Sequence, residues 1–88
     1  MILQAGYSNP FDATVLSNGS LCWTRLNEGG LALKDAEVCI EQRPNWPKAY
    51  YRKGAALMLL EDFEEAADAF FFGWMLDPRN EQLEHAFR

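Results

Sequence analysis

Lys48, Arg52 and Lys53 stand within the stretch NWPKAYYRKGAAL, residues 45 to 57, and no acidic residue falls anywhere from Trp46 to Leu60. The chain as a whole carries 13 acidic against 8 basic side chains, a net charge of −5, so a local run of positive charge asks for a reason. Lys48 and Arg52 are four residues apart and share one face if the stretch is helical. A mobile ammonium and a planar guanidinium fork on one face suit a carboxylate. The competing reading is that these cations only solvate a helix and pair with nearby acids, as exposed ion pairs commonly do at little gain. Lys53, one residue off the face of Arg52, belongs with that second reading.

Other chemistry is thinly supplied. His85, the one histidine, has no nucleophile beside it and reads as an exposed side chain, so no enzyme is expected. Glu61, Asp62, Glu64, Glu65 and Asp68 match no calcium-loop spacing; they open a helix, where carboxylates complement the positive end of the dipole. Neither a metal nor a cofactor is expected. The run Phe70-Phe71-Phe72-Gly73-Trp74 covers more than one side of a helix and reads as core plus an inter-helix contact, with no side assigned to Phe71. Cys22 and Cys39 fall at apolar helical positions and read as reduced core residues rather than zinc ligands or a disulfide. A pI near 4.7 argues against nucleic acid or a membrane surface as partner. The opening MILQAGYSNP has no basic start, and no apolar run approaches the ~18 residues of a membrane span. A cytoplasmic setting, with the nucleus as alternative, is expected.

The elements that must position the cations follow from a duplication. At an offset of 34 residues, 13 to 46 overlie 47 to 80, so that Ala32 meets Ala66, Pro44 meets Pro78, Leu16 meets Tyr50, Trp23 meets Leu57, Leu26 meets Leu60 and Ile40 meets Trp74. Large apolar residues thus recur at spacings that suit one helical face. With 49% hydrophobic and 24% charged residues, the chain is globular, and its length allows one domain of modest stability. No segment alternates as a strand, so the fold is all-α. The first helix is expected from Asn9 as N-cap and Pro10 to about Leu26, broken by Asn27-Glu28-Gly29-Gly30. A second runs from about Leu31 to Gln42, stopped by Pro44. A third, capped by Asn45, spans Trp46 to Leu60; after the Glu61-Asp62 turn a fourth spans Phe63 to Leu76. Asn80 opens a last short helix over 81–88, with Leu83, Ala86 and Phe87 on one side. The division is therefore a lead segment 1–12, repeat one 13–46, repeat two 47–80 and a capping helix 81–88.

A 34-residue helix-turn-helix unit ending in proline resembles the tetratricopeptide repeat. The resemblance covers residues 13 to 88: a large residue at position 4 (Leu16, Tyr50), a small one at 8 (Ser20, Gly54) and a large one at 11 (Trp23, Leu57). Alanine follows at 20 (Ala32, Ala66), an aromatic at 24 (Phe70, with Ala36 as counterpart), a small residue at 27 (Cys39, Gly73) and proline at 32 (Pro44, Pro78). It implies two antiparallel helical hairpins in a right-handed solenoid, in which successive first helices line one concave surface. Arg52 and its counterpart Asn18 then face one groove with Lys48.

Ser17-Asn18-Gly19-Ser20 followed by Trp46-Pro47-Lys48-Ala49-Tyr50-Tyr51-Arg52-Lys53 further resembles the carboxylate-clamp subclass of these repeats. That resemblance implies that Asn18, Lys48 and Arg52 hold the terminal carboxylates of an acidic Glu-Glu-Val-Asp tail of a cytosolic heat-shock chaperone, with Leu21, Tyr51 and Ala55 lining the groove. Three of the five clamp positions have counterparts here; a Lys and an Asn from a preceding repeat do not. The chain is also similar to the C-terminal repeats of plant proteins that carry ankyrin repeats upstream. The rival expectation is a structural scaffold or oligomerisation segment without tail specificity. Leu33 and Val38 on the second helix are expected to leave an apolar strip at the N-terminal face, met by an upstream domain or a second copy.

Overall fold

The computed structural model describes residues 11–79, and the regular structure among them is helical: α1 (Ala13–Arg25), α2 (Gly29–Gln42), α3 (Pro47–Leu59) and α4 (Phe63–Leu76). The expected helix over 81–88, with His85, lies outside the described residues, as do Asn9 and Pro10. α1 pairs with α2 and α3 with α4; α2 packs on α3, and α1 also reaches α3. The two hairpins are thereby stacked, with first helices α1 and α3 side by side.

Helix boundaries depart from the sequence reading at three places, each with a local cause. α1 starts at Ala13 rather than near Pro10, because the Asp12 carboxylate accepts the Thr14 N–H at 2.8 Å and makes Asp12 the cap. α2 starts at Gly29, so Gly29 and Gly30 are helical. Within the expected break the reversal is made by Asn27 in the left-handed region (φ 64°), and in the expected Glu61-Asp62 turn Glu61, its counterpart 34 residues on, does the same at φ 63°. α3 is capped by Trp46, not Asn45, since Trp46 precedes Pro47 and is held extended while Pro47 takes the first helical position. The duplication extends to the exits: Arg43 and Asp77, each preceding a proline, both leave the helical region, at φ −137° and −151°.

The core is built on small residues that let helices touch. Ala32, Ala36, Cys39, Ala49, Ala56 and Ala66 are all fully buried. In the first hairpin the buried Ser20 hydroxyl donates to the Ala32 carbonyl at 2.8 Å. Its counterpart Gly54 goes further: a Cβ there would stand 2.3 Å from the Phe70 ring, so only glycine admits the aromatic that fills the second hairpin. Gly29 plays the same part between hairpins, where a Cβ would meet the Leu60 side chain at 3.0 Å. Leu57, Ala66, Ala69 and Phe70 form one cluster; Ala13, Cys39 and Ala49 form another, flanked by Leu16, Ile40 and Trp46.

Three expectations about burial are corrected. Cys22 is exposed, whereas Cys39 is buried as expected, its thiol donating to the Ala13 carbonyl at 3.0 Å. Leu26 and Leu60 are exposed, because each is the residue at which its helix has ended. Leu33 is not left uncovered: it packs against the Leu57–Phe70 cluster, since α2 is the middle layer between the hairpins. Phe71 is exposed and stacks on Trp74 at 6.0 Å, while Phe72 stacks on Tyr50 at 4.7 Å.

Enlarging either touching alanine, by Ala32→Leu or Ala66→Leu, is expected to destabilise the fold by about 1 to 3 kcal/mol. Chemical denaturation reads this, and unchanged midpoints for both would refute the packing register. Burial pushes the Cys39 thiol above its ordinary pKa, and the thiolate is the reactive form. Iodoacetamide at mildly alkaline pH should therefore modify Cys22 in the folded protein and Cys39 only after denaturation. Peptide mass spectrometry that finds both modified at similar rates would contradict this burial.

Candidate functional site

The predicted cation face of α3 is present, but its members differ in setting. Lys48 is exposed, whereas Arg52 retains only 7% of its surface and lies between α3 and α1. Its Nε donates to the Ser17 hydroxyl at 3.1 Å, and its guanidinium lies 5.8 Å from the centre of the Tyr51 ring. Burial pulls the Arg52 guanidinium below its ordinary pKa, yet a guanidinium stays charged at physiological pH. Among the described residues no acid pairs with Lys48 or Arg52; the ion pair formed is Lys53 with Glu37, at 3.8 Å. Lys53 is therefore part of the solvated surface, as the sequence indicated.

A buried charge without a counter-charge is unfavourable unless something compensates it. Ser17 accepts one hydrogen bond from Nε, which leaves four further N–H donors of the fork for an incoming acceptor. Asn18, exposed beside Ser17 on α1, overlies Arg52 by the 34-residue offset and offers an amide at the same height. Gly19 next to it leaves room for α2: a Cβ there would stand 2.8 Å from an Asp35 carboxylate oxygen.

Beyond Arg52 the groove turns apolar. Thr24, Tyr51, Ala55, Met58, Leu59 and Phe70 line an open depression of about 360 Å³. Tyr51 and Ala55 are among these lining residues; Leu21, half-buried on α1, is not. On α3 the positions 48, 52, 55 and 59 follow one helical face, so cationic head and apolar continuation form a single stripe. Sequence reasoning missed Ser17. Its signal was there: Ser17 falls four residues after Ala13 and three before Ser20, on the buried stripe of α1, and a buried hydroxyl needs a partner. A second depression, of about 310 Å³, lies at the α2–α3 turn among Arg43, Pro44, Asn45 and Trp46, with Arg43 stacked 4.7 Å over Trp46. Among the described residues no group of three or more His, Cys, Asp or Glu could hold a metal ion.

No protein-family profile matches the chain. It is 41% identical over 80 residues to the Hsp70-Hsp90 organizing protein of Triticum aestivum, covering 91% of this chain and 14% of that protein. It is 40% identical over 83 residues to the STIP1 homologue of Dictyostelium discoideum, covering 94% of this chain and 15% of the relative. The chain thus spans about one-seventh of the length of these curated relatives. Among solved structures it is similar to the first TPR of Spaghetti (RPAP3) bound to the HSP90 peptide SRMEEVD, with a TM-score of 0.83 and 26% identity over 92% of this chain and 64% of that one. The second TPR domain of human RPAP3, solved with the HSP70 peptide SGPTIEEVD, shares the fold with a TM-score of 0.82 at 23% identity, covering 92% of this chain and 68% of that chain. These matches do not touch the resemblance to plant ankyrin-repeat proteins.

If Arg52 is held for a ligand rather than for the fold, then Arg52→Met should leave the denaturation midpoint unchanged or raise it, because an apolar side chain of similar length removes a buried charge. Ser17→Ala, which strands the Nε donor, should instead destabilise by about 1 to 3 kcal/mol. A loss above about 1 kcal/mol with Arg52→Met would make the guanidinium a structural element.

Proposed function

The chain is a tetratricopeptide-repeat domain, and on that premise we propose that it is a non-catalytic, co-chaperone-like module that binds the acidic C-terminal tail of a heat-shock chaperone. The observation that carries this reading is Arg52: a guanidinium 7% exposed, hydrogen-bonded to Ser17 and without an acid beside it among the described residues. A carboxylate arriving in the groove provides the missing counter-charge. Asn18 and Lys48 flank it, the first able to donate its amide N–H, the second to add a flexible ammonium.

The relatives' names and the tail peptides bound in the similar structures support the same ligand class. Both peptides end in Glu-Glu-Val-Asp, which brings a terminal carboxylate, acidic side chains and one apolar residue to a groove with cations at one end and an apolar depression beyond. Asn18, Lys48 and Arg52 are the residues assigned to the carboxylates, with Tyr51 and Ala55 beneath the chain. Free thiols at Cys22 and Cys39 fit a reducing, cytoplasmic or nuclear setting, and no helix among the described residues is long and apolar enough to cross a membrane.

Calorimetric titration with SRMEEVD and with the same peptide amidated at its C-terminus tests the reading. Charge-assisted bonds to a shielded cation contribute about 1.5 to 3 kcal/mol, so amidation or Arg52→Ala should weaken binding about tenfold or more, and added salt should weaken the free-acid peptide further. Equal affinities for the two peptides would overturn the carboxylate reading.

A further inference from the structure

The groove extends past its cationic end in a way that fixes which way a peptide lies. Because α1 and α3 are successive first helices of antiparallel hairpins, they run in the same direction, and positions 34 residues apart stand at one height. Asn18 is level with Arg52, and Arg25 is level with Leu59. Lys48 closes the groove one turn toward the helix N-termini; the apolar depression, with Thr24 from α1 and Ala55, Met58 and Leu59 from α3, opens toward their C-termini. A terminal carboxylate at Lys48 and Arg52 therefore has its upstream residues lying toward the ends of α1 and α3.

At that far end stands Arg25, exposed in the last turn of α1, seven residues after Asn18 and so on the same helical face. It has no acidic partner among the described residues, where the ion pair formed is Lys53 with Glu37 on the α2 side of α3. Arg25 is also near enough to Arg52 for its charge to act on it, adding to the lowering of the Arg52 pKa that burial begins, while Tyr51 opposes it. Like charges facing one groove repel and gain most from an anionic ligand that spans them. Seven helical residues rise about 10.5 Å, and an extended peptide advances about 3.3 Å per residue. The separation corresponds to about three peptide residues.

We propose that Arg25 is a second anion contact of the groove and reads an acidic side chain three residues before the C-terminus of the bound peptide, with the intervening apolar residue over the Tyr51–Leu59 depression. This rests on the tail-binding reading and gives it a second, separable point of specificity. In SRMEEVD the residue three before the end is the first glutamate, so the groove selects a tail with an acid at that place over one with an acid only at the terminus.

The test is a cycle of titrations on the full chain. SRMEEVD and SRMQEVD, which removes the charge at the chosen place, are each measured against the parent protein and Arg25→Gln, with circular dichroism to show that this exposed substitution leaves the helices intact. An exposed charge pair of this kind is expected to give a loss of about fivefold for Arg25→Gln with SRMEEVD and little with SRMQEVD. The control peptide SRMEQVD, changed one place later, should retain most of the loss. Arg25→Glu should be rescued by SRMKEVD, which reverses the charge on the ligand. An Arg25→Gln effect that is absent, or equal for SRMEEVD and SRMQEVD, overturns the assignment while leaving the carboxylate site standing. If the amidated SRMEEVD binds as well as the free acid, or if no peptide saturates the chain, the carboxylate reading falls and Arg25 with it.

Discussion

Close approach between helices, permitted by missing side-chain atoms, is the constraint on which the rest of this structure depends. Phe70 can enter the second hairpin only because Gly54 offers no Cβ, which would otherwise stand 2.3 Å from the ring. Ser20 and Ala32 do the same for the first hairpin and add a hydrogen bond between a buried hydroxyl and a helix carbonyl. Once each hairpin is this thin, α2 can lie against α3, with Gly29 admitting Leu60, and α1 is brought beside α3. A chain of this length has little surface to bury, and it gains its core from many small contacts rather than a few large ones: among the described residues Leu57 is the largest side chain that is fully buried.

That proximity creates the site. Arg52 starts on α3 but finds its hydrogen-bond acceptor, Ser17, on α1, so the groove exists only where the two first helices stand side by side. Enclosure gives the guanidinium its character. In water its charge is diluted, while at 7% exposure its field reaches a ligand with less screening. The tyrosine ring beneath it and the alanine one turn on keep the floor smooth and apolar. Among the described residues no acid pairs with Lys48 or Arg52, and Glu64 and Glu65 sit on the first turn of α4, so the α3 cations stand as a local positive patch within a negative molecule.

Lys53 and Arg52 show how one residue of helical phase separates two fates. Lys53 points toward α2 and meets Glu37 at 3.8 Å, with both partners well exposed, a contact worth little. Arg52 points toward α1, meets a hydroxyl and loses its water. Neighbouring cations thus divide into a solvated ion pair and a buried guanidinium bonded to a hydroxyl, and the division is made by rotation of about 100° about one helix axis.

The repeat, its length and the all-helical class were legible in the sequence, because they rest on periodic properties: Ala32 with Ala66, Pro44 with Pro78, and a face shared by residues four apart. The pairing of Lys48 with Arg52 followed from the same periodicity, as did Asn18 at the height of Arg52. What the tertiary structure alone decided are facts of contact between segments distant in sequence. Within the expected breaks the αL residues are Asn27 and Glu61, while Gly29 is helical and serves the approach of Leu60 rather than the bend. Leu33 went inward because a second hairpin covers it, and Cys22 outward because none does. Ser17 as the acceptor for Arg52 lies 35 residues away in the chain. Periodicity tells which face a residue is on; which other face it meets, and whether water is left between them, depends on how closely the hairpins stack.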